Sequence, residues 1–71
     1  PISDFVEVNL IGEYIKDITI YSLSGSIINK SQYNSQATLI TINTQNIQNG
    51  IYLLSVNSDI NSYSKKIIIQ H

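Results

Sequence analysis

The chain has no cysteine, methionine or tryptophan, and it contains only three glycines and one proline among 71 residues. Without cysteine there can be no disulfide scaffold, no thiol nucleophile and no zinc site built on thiolates. Charge is also scarce, because charged residues make up 13% of the chain and the formal net charge is -1. A chain with this charge has no basic surface to neutralise a phosphate backbone, so nucleic-acid binding by counterion release is excluded.

Long hydrophobic runs are missing as well. The longest run is a few residues, whereas a helix that crosses a bilayer needs about 18 apolar residues, so we predict no membrane span. A chain of 71 residues forms one small domain, and at this size about 60% of the surface of the unfolded chain becomes buried. We therefore expect a single domain over residues 1–71 with a thin core and no deep active-site cleft.

Groups that could carry chemistry are few and scattered. The one histidine, His71, is the last residue, where chains are usually mobile and solvated. The acidic residues show no metal-ligand spacing and are interpreted as solvated side chains. They are Asp4, Glu7, Glu13, Asp17 and Asp59. We therefore predict no catalytic residue, no metal site and no cofactor, and we expect that the domain is not an enzyme.

Isoleucine is abundant, accompanied by valine, leucine and tyrosine, and it is set among serine, asparagine and threonine. β-Branched and aromatic residues favour strands, and asparagine and serine favour turns. Period-2 alternation predicts half-buried strands at residues 5–10, 15–22 and 38–42. The continuous apolar run at residues 51–56 predicts a central strand that is covered on both faces. The last strand is expected over residues 63–70.

The connections between these strands carry their own signals. Ser24-Gly25 predicts a hairpin turn that leads into a third strand, and Asn49-Gly50 predicts a turn with positive φ at Gly50. The polar residues 29–36 are expected to form a surface loop or a frayed edge. Ile47 is the one apolar residue of another polar stretch, and we expect it to plug the core from its loop.

Six or seven short strands without helices between them predict an all-β fold. Its expected form is a small antiparallel β-sandwich, immunoglobulin-like, with two sheets packed face to face. A small open barrel is an alternative, since the sequence does not give the pairing order of the strands.

Three segments together resemble the type A C-terminal sorting domain of the type IX secretion system. ITIYSLSGSII at residues 18–28 is similar to its strand, aromatic, turn, glycine and strand element. ITINTQNIQNGIYLLSV at residues 40–56 and SYSKKIII at residues 62–69 are similar to its closing half. The resemblance covers nearly the whole chain, with its parts in the family's order.

The matching positions follow from this resemblance. Gly25 matches the hairpin glycine, and Ile47, Gly50, Ile51 and Tyr52 match a motif of an apolar residue, a glycine, a β-branched residue and a tyrosine. The family's final basic pair and apolar strand match residues that follow one another in this chain. They are Lys65, Lys66, Ile67, Ile68 and Ile69. Pro1 is similar to the last proline of the family's opening Pro-Asn-Pro motif.

The resemblance implies a non-catalytic address label at the end of a longer secreted protein. In that family, the cargo passes through the periplasm of a Gram-negative bacterium of the Bacteroidota and reaches the medium or the cell surface. The outer-membrane translocon recognises the folded label, and a sortase-like surface peptidase often removes it. The implied partners are therefore the translocon, the peptidase and an upstream cargo domain. That the chain begins with Pro1 and not with methionine also leads us to expect a piece of a longer product.

Specific roles are expected for some of these residues. A terminal strand with Ile67, Ile68 and Ile69 can offer main-chain hydrogen bonds to a partner by strand addition. Lys65 and Lys66 can orient the docking, or they can protect an edge strand from aggregation. Gly50 and Tyr52 are expected to act locally, through the turn and through core packing.

Two other functions remain open at this point. The five tyrosines and the polar residues 29–36 suggest a carbohydrate-binding or adhesive β-sandwich module. Tyrosine in a strand also packs its ring on the sheet and leaves its hydroxyl in water, and this reading is favoured in the absence of tryptophan. A structural spacer beside a catalytic domain is the third possibility.

Overall fold

A computed structural model describes residues 2–71, and Pro1, which was matched to the opening motif, lies outside the described residues. The described residues form six strands and no helix, and hence no helix that is long and apolar enough to cross a membrane. The strands are β1 (Phe5–Asn9), β2 (Ile15–Ser22), β3 (Ile27–Gln32), β4 (Leu39–Asn43), β5 (Gly50–Ser58) and β6 (Ser62–Ile69).

The six strands divide into two sheets. β1 pairs with β4, and the other sheet has the order β3-β2-β5-β6, with every neighbouring pair antiparallel. The predicted all-β sandwich is therefore confirmed with six strands, and the barrel alternative is wrong.

The core lies between the inner faces of the two sheets. Every strand except β3 contributes buried apolar side chains, and most of them follow the period of two that alternation predicts. These residues are Val8, Ile15, Ile18, Ile20, Ile42, Tyr52, Leu54, Val56, Ile67 and Ile69. The predicted strands at the start of the chain and before residue 43 are confirmed, with Val8 and Ile42 facing inward.

β5 is central, as predicted, but the expectation that both of its faces are covered is wrong. Its outer face leaves Ile51 45% and Leu53 37% exposed. The physical reason is that a two-stranded sheet covers only the inner face of the four-stranded sheet. A continuous apolar run therefore does not require burial on both sides.

β2 and β3 form the predicted hairpin. Gly25 has φ +94° in the turn, and its N–H donates to the Ser22 carbonyl over 3.0 Å. The Ser22 hydroxyl accepts a hydrogen bond from the Ser26 N–H, which ties the turn to the strand end. The first part of the polar residues 29–36 belongs to β3, an edge strand of its sheet, so the expected frayed edge is a regular strand through Gln32.

Candidate functional site

The motif residues of the closing half meet in one ladder between β5 and β6. Gly50 lies opposite Ile69, and Tyr52 lies opposite Ile67. We call the three consecutive pairs formed by residues 50–52 and 67–69 the terminal ladder. Gly25 is placed elsewhere, in the β2–β3 turn. The structure thus brings residues 50–52 together with residues 67–69, while Lys65 and Lys66 lie further along β6, opposite Leu54 and Leu53.

Gly50 does not adopt the predicted positive φ, since among the glycines only Gly12 and Gly25 do. The prediction was wrong because β5 already begins at Gly50, so this residue belongs to the ladder and not to a turn. The ring of Tyr52 lies beside Gly50, where other residues carry a side chain. A Cβ built on Gly50 lies 3.4 Å from a ring carbon of Tyr52, two residues along on the same face of the strand.

Tyr52 packs into the core as expected, with 9% of its surface exposed. Its hydroxyl donates a hydrogen bond of 2.6 Å to the carbonyl oxygen of Gln48. The side chain therefore fastens the loop before β5 to the strand. Ile47, in the same loop, packs partly buried against the core, which confirms the predicted plug.

Substitution by alanine is expected to cost different amounts at Gly25 and at Gly50. Gly25→Ala is expected to lower the free energy of unfolding by about 1–2 kcal/mol, because a Cβ is strained at positive φ. Gly50→Ala is expected to cost less, since its Cβ makes an ordinary contact with Tyr52. Urea unfolding of both variants measures the difference. A larger loss for Gly50→Ala than for Gly25→Ala would contradict this geometry.

The last residue of the chain is held in place. His71 is exposed, as predicted, but its N–H donates to Asn49 Oδ1 over 2.9 Å. Its Nε2 lies 2.7 Å from the Ile47 carbonyl oxygen and donates to it when Nε2 carries the proton. These two contacts attach the end of the chain to the loop that precedes the terminal ladder.

The side chains of β6 divide into buried and exposed groups. Ile67 and Ile69 are 5% and 1% exposed, so they belong to the core. Ile68 is 50% exposed, and both lysines are exposed. By register, Lys65 lies opposite Leu54 on the inner side of the sheet and Lys66 opposite Leu53 on its outer side. Among the motif residues of β6, the side chains that a partner can reach are thus those of Lys65, Lys66 and Ile68.

The free edge of β6 is partly occupied by the start of the chain. Ile2 forms an isolated parallel bridge with Ile69. Its N–H donates to the Ile68 carbonyl over 2.8 Å, and its carbonyl accepts from the Gln70 N–H over 2.8 Å. The main chain beside residues 68–70 is therefore already paired on this side.

A polar cluster that the sequence did not reveal surrounds Glu13. The Ser58 hydroxyl donates to one carboxylate oxygen over 2.6 Å, and the Asn61 amide donates to the same oxygen over 3.2 Å. The Tyr63 hydroxyl donates to the other oxygen. These bonds join the turn between β1 and β2 to the turn between β5 and β6. The hydrogen bonds from Ser58 and then Tyr63 lower the pKa of the Glu13 carboxyl, and the bond to Glu13 raises the pKa of Tyr63.

Acid should weaken this cluster. Because the pKa of Glu13 is lowered in the folded state, its stabilising effect is complete above the ordinary carboxyl value of 4.5 and is lost as the pH falls through the lower, folded value. Glu13→Gln is therefore expected to flatten the decline in stability between about pH 5 and about pH 3. Urea unfolding across this range tests it, with Asp4→Asn, at an exposed carboxylate, as the control. A decline as steep in Glu13→Gln as in the unaltered chain would contradict a role for this carboxylate.

The residues described above stabilise the fold and leave side chains of β6 exposed. Among residues 2–71, no three His, Cys, Asp or Glu side chains are grouped to hold a metal ion. The tyrosines also serve separate purposes. Tyr52 is in the core, Tyr33 packs partly buried against it, and Tyr63 bonds Glu13. These three rings do not form the shared stacking platform that a carbohydrate-binding module uses.

A comparison with protein families gives one match. The family model described as the secretion system C-terminal sorting domain matches residues 1–70. No curated protein matches the chain, and no solved structure does. The match covers both the hairpin that contains Gly25 and the terminal ladder.

Proposed function

Because the chain belongs to the secretion system C-terminal sorting domain family, we propose that it acts as a folded export label that the type IX outer-membrane translocon recognises. A sorting domain of this family is a C-terminal signal for type IX secretion, and it implies a secreted or cell-surface protein exported by a Gram-negative system. The family is one of signals and not of catalysts. The family match over residues 1–70 is the observation that carries the proposal.

The structure suggests how the motif residues divide their work. Gly25, Gly50 and Tyr52 maintain the shape of the label, through the hairpin turn and the terminal ladder. Ile67 and Ile69 do the same from the core. Their substitution is therefore expected to act through folding.

The exposed residues of β6 are available for recognition. Lys65, Lys66 and Ile68 can contact the translocon directly, because their side chains are exposed on the last strand. Their substitution by alanine is expected to change export while the fold is kept. Signal recognition in this proposal thus uses surface residues that a rigid core holds in position.

The proposal also covers the export and processing of the whole protein. Residues 1–71 form a single label domain at the end of a longer secreted protein, whose upstream part is the cargo. The cargo crosses the periplasm, the translocon recognises the label, and a sortase-like surface peptidase removes the label when the cargo is attached to the surface. Compact folding supports this role, because the Cα radius of gyration is 11.7 Å and a small independent unit can be carried at the end of unrelated cargo.

A reporter fusion tests the proposed function. A periplasmic reporter enzyme carrying residues 1–71 at its C-terminus is expressed in a host with the type IX machinery, and the same reporter without the label is the control. The fused reporter is expected on the cell surface or in the medium, and the control in the periplasm. If the fused reporter stays in the periplasm while the label is folded, the proposal fails.

A further inference from the structure

Thr44 is a polar residue that is buried completely, with 0% of its surface exposed, directly after the end of β4. Its hydroxyl donates a hydrogen bond of 3.1 Å to the Ser3 carbonyl. Its N–H donates to the Asp4 carbonyl over 2.9 Å. Because a buried hydroxyl without a partner is costly, the bond to Ser3 explains how a polar side chain is kept in this position. Thr44 thus ties the segment before β1 to the end of β4.

The segment that Thr44 holds also pairs with the last strand. We call residues 2–4 the strap. The Ile2 N–H donates to the Ile68 carbonyl over 2.8 Å, and the Ile2 carbonyl accepts from the Gln70 N–H over 2.8 Å. The side chain of Ile2 packs partly buried against the core. Within three residues, the strap therefore connects β6 of one sheet to the end of β4 in the other.

Thr44 holds the loop before β5 as well. Its carbonyl accepts a hydrogen bond of 3.1 Å from the Ile47 N–H, and the Ile47 carbonyl lies 2.7 Å from His71 Nε2. His71 follows Gln70, whose N–H donates to the strap. These hydrogen bonds form a closed ring that runs from the strap through Thr44, the loop and residues 70–71 back to the strap. In such a network, the loss of one bond is expected to loosen the neighbouring bonds.

We propose that Thr44 is a positioning residue that couples the strap to the end of β6. The buried hydroxyl fixes the strap, and the strap fixes the main chain at residues 68–70. Ile68 is thereby held with its side chain exposed, and its use in recognition rests on the proposed function. Thr44 lies outside the motif residues, and its hydroxyl bond spans 41 positions of the chain.

Amide hydrogen exchange of the unaltered chain and of Thr44→Val tests this coupling. Valine keeps the shape of threonine and lacks the hydroxyl, so the packing is retained and one hydrogen bond is lost. The net contribution of one hydrogen bond predicts exchange about two- to tenfold faster at the Gln70 N–H. The Tyr33 N–H, which donates to the Lys16 carbonyl on the β3 side of the sheet, is expected to keep its rate, since local opening affects only the amides of the opened segment.

Two further variants separate the hydroxyl from other effects. Thr41→Val makes the same chemical change at an exposed position of β4, and Thr44→Ser keeps a hydroxyl at the buried position. Neither variant is expected to speed exchange at Gln70 relative to Tyr33. If Thr44→Val speeds exchange equally at both amides, the substitution only lowers the overall stability, and the coupling is overturned.

The reciprocal measurement covers the case in which Thr44→Val does not fold. Removing residues 70–71 takes away the bond from Gln70 to the strap and the contacts of His71. If the strap carries the coupling, exchange at the Thr44 N–H is expected to become about twofold or more faster relative to Tyr33. An unchanged ratio of the two rates would overturn the inference.

These measurements do not involve export, so they separate this inference from the proposed function. If the label fails to export the reporter while Gln70 responds to Thr44→Val as described, the proposed function fails and the coupling stands. Unchanged exchange at Gln70 in folded Thr44→Val overturns the coupling, whether or not the label is exported.

Discussion

Removing residues 67–71 is expected to unfold the domain and abolish export together. The deletion takes away Ile67 and Ile69, which are 5% and 1% exposed. Losing one buried isoleucine side chain costs about 2–5 kcal/mol, and a domain of this size has a free energy of unfolding on the order of 4–10 kcal/mol. The deletion also removes the partners of Ile2 and the two hydrogen bonds of His71.

A shorter truncation is the control for this deletion. Removing residues 70–71 eliminates the His71 contacts and one bond to Ile2 but leaves the buried isoleucines in place. It is expected to lower the midpoint of thermal unfolding while the fold and measurable export remain. Circular dichroism and reporter export are recorded for both truncations. Export that survives the loss of residues 67–71 would show that the terminal strand is dispensable, contrary to this expectation.

Ile18→Ala is expected to have the second largest effect. Ile18 is 2% exposed on β2, between β3 and β5. Its truncation leaves a cavity in the thin core and should lower the free energy of unfolding by about 2–5 kcal/mol. Because the free energy of unfolding of the whole domain is only on the order of 4–10 kcal/mol, this loss removes about half of it, and the unfolded population is expected to rise about 30-fold or more. Export should fall in parallel with the folded fraction.

Ile11→Ala is the matched control for this change. Ile11 is 92% exposed, so the same chemical change is expected to alter the free energy of unfolding by less than about 0.5 kcal/mol and to leave export unchanged. Urea unfolding and reporter export are measured for both variants. If Ile18→Ala is largely unfolded and still exported at the normal level, the signal is a linear sequence and not a folded shape.

Much of the strand pattern could be predicted from the sequence. Residues 15–22 were predicted and are the bounds of β2, and Val8 and Ile42 lie on the faces that alternation assigned. These predictions work because period-2 alternation reports burial on one face directly. The apolar run in β5 led to the wrong prediction that both faces of the strand are covered, because an apolar residue can also lie on an uncovered face, as Ile51 does. The number of strands in the opposing sheet is a tertiary property that the run does not encode.

The candidate site was only partly predictable. The motif residues could be named, and their meeting in one ladder follows from β5 and β6 being successive strands. The Glu13 cluster and the Ile2 bridge could not be found, since they join residues that are 45 or more positions apart. Gly50 was misassigned because Asn49-Gly50 is a typical turn dipeptide, and the sequence does not show that its glycine is already the first residue of β5.

Protease access to the fused reporter in intact cells tests the central claim most directly. The reporter that carries residues 1–71 is expressed in cells with the type IX translocon and in cells from which the translocon is deleted. An external protease is expected to degrade the reporter only in the cells that have the translocon. Equal protection of a folded fusion in both strains, with the reporter retained in the periplasm, would contradict the claim that this chain is an export label.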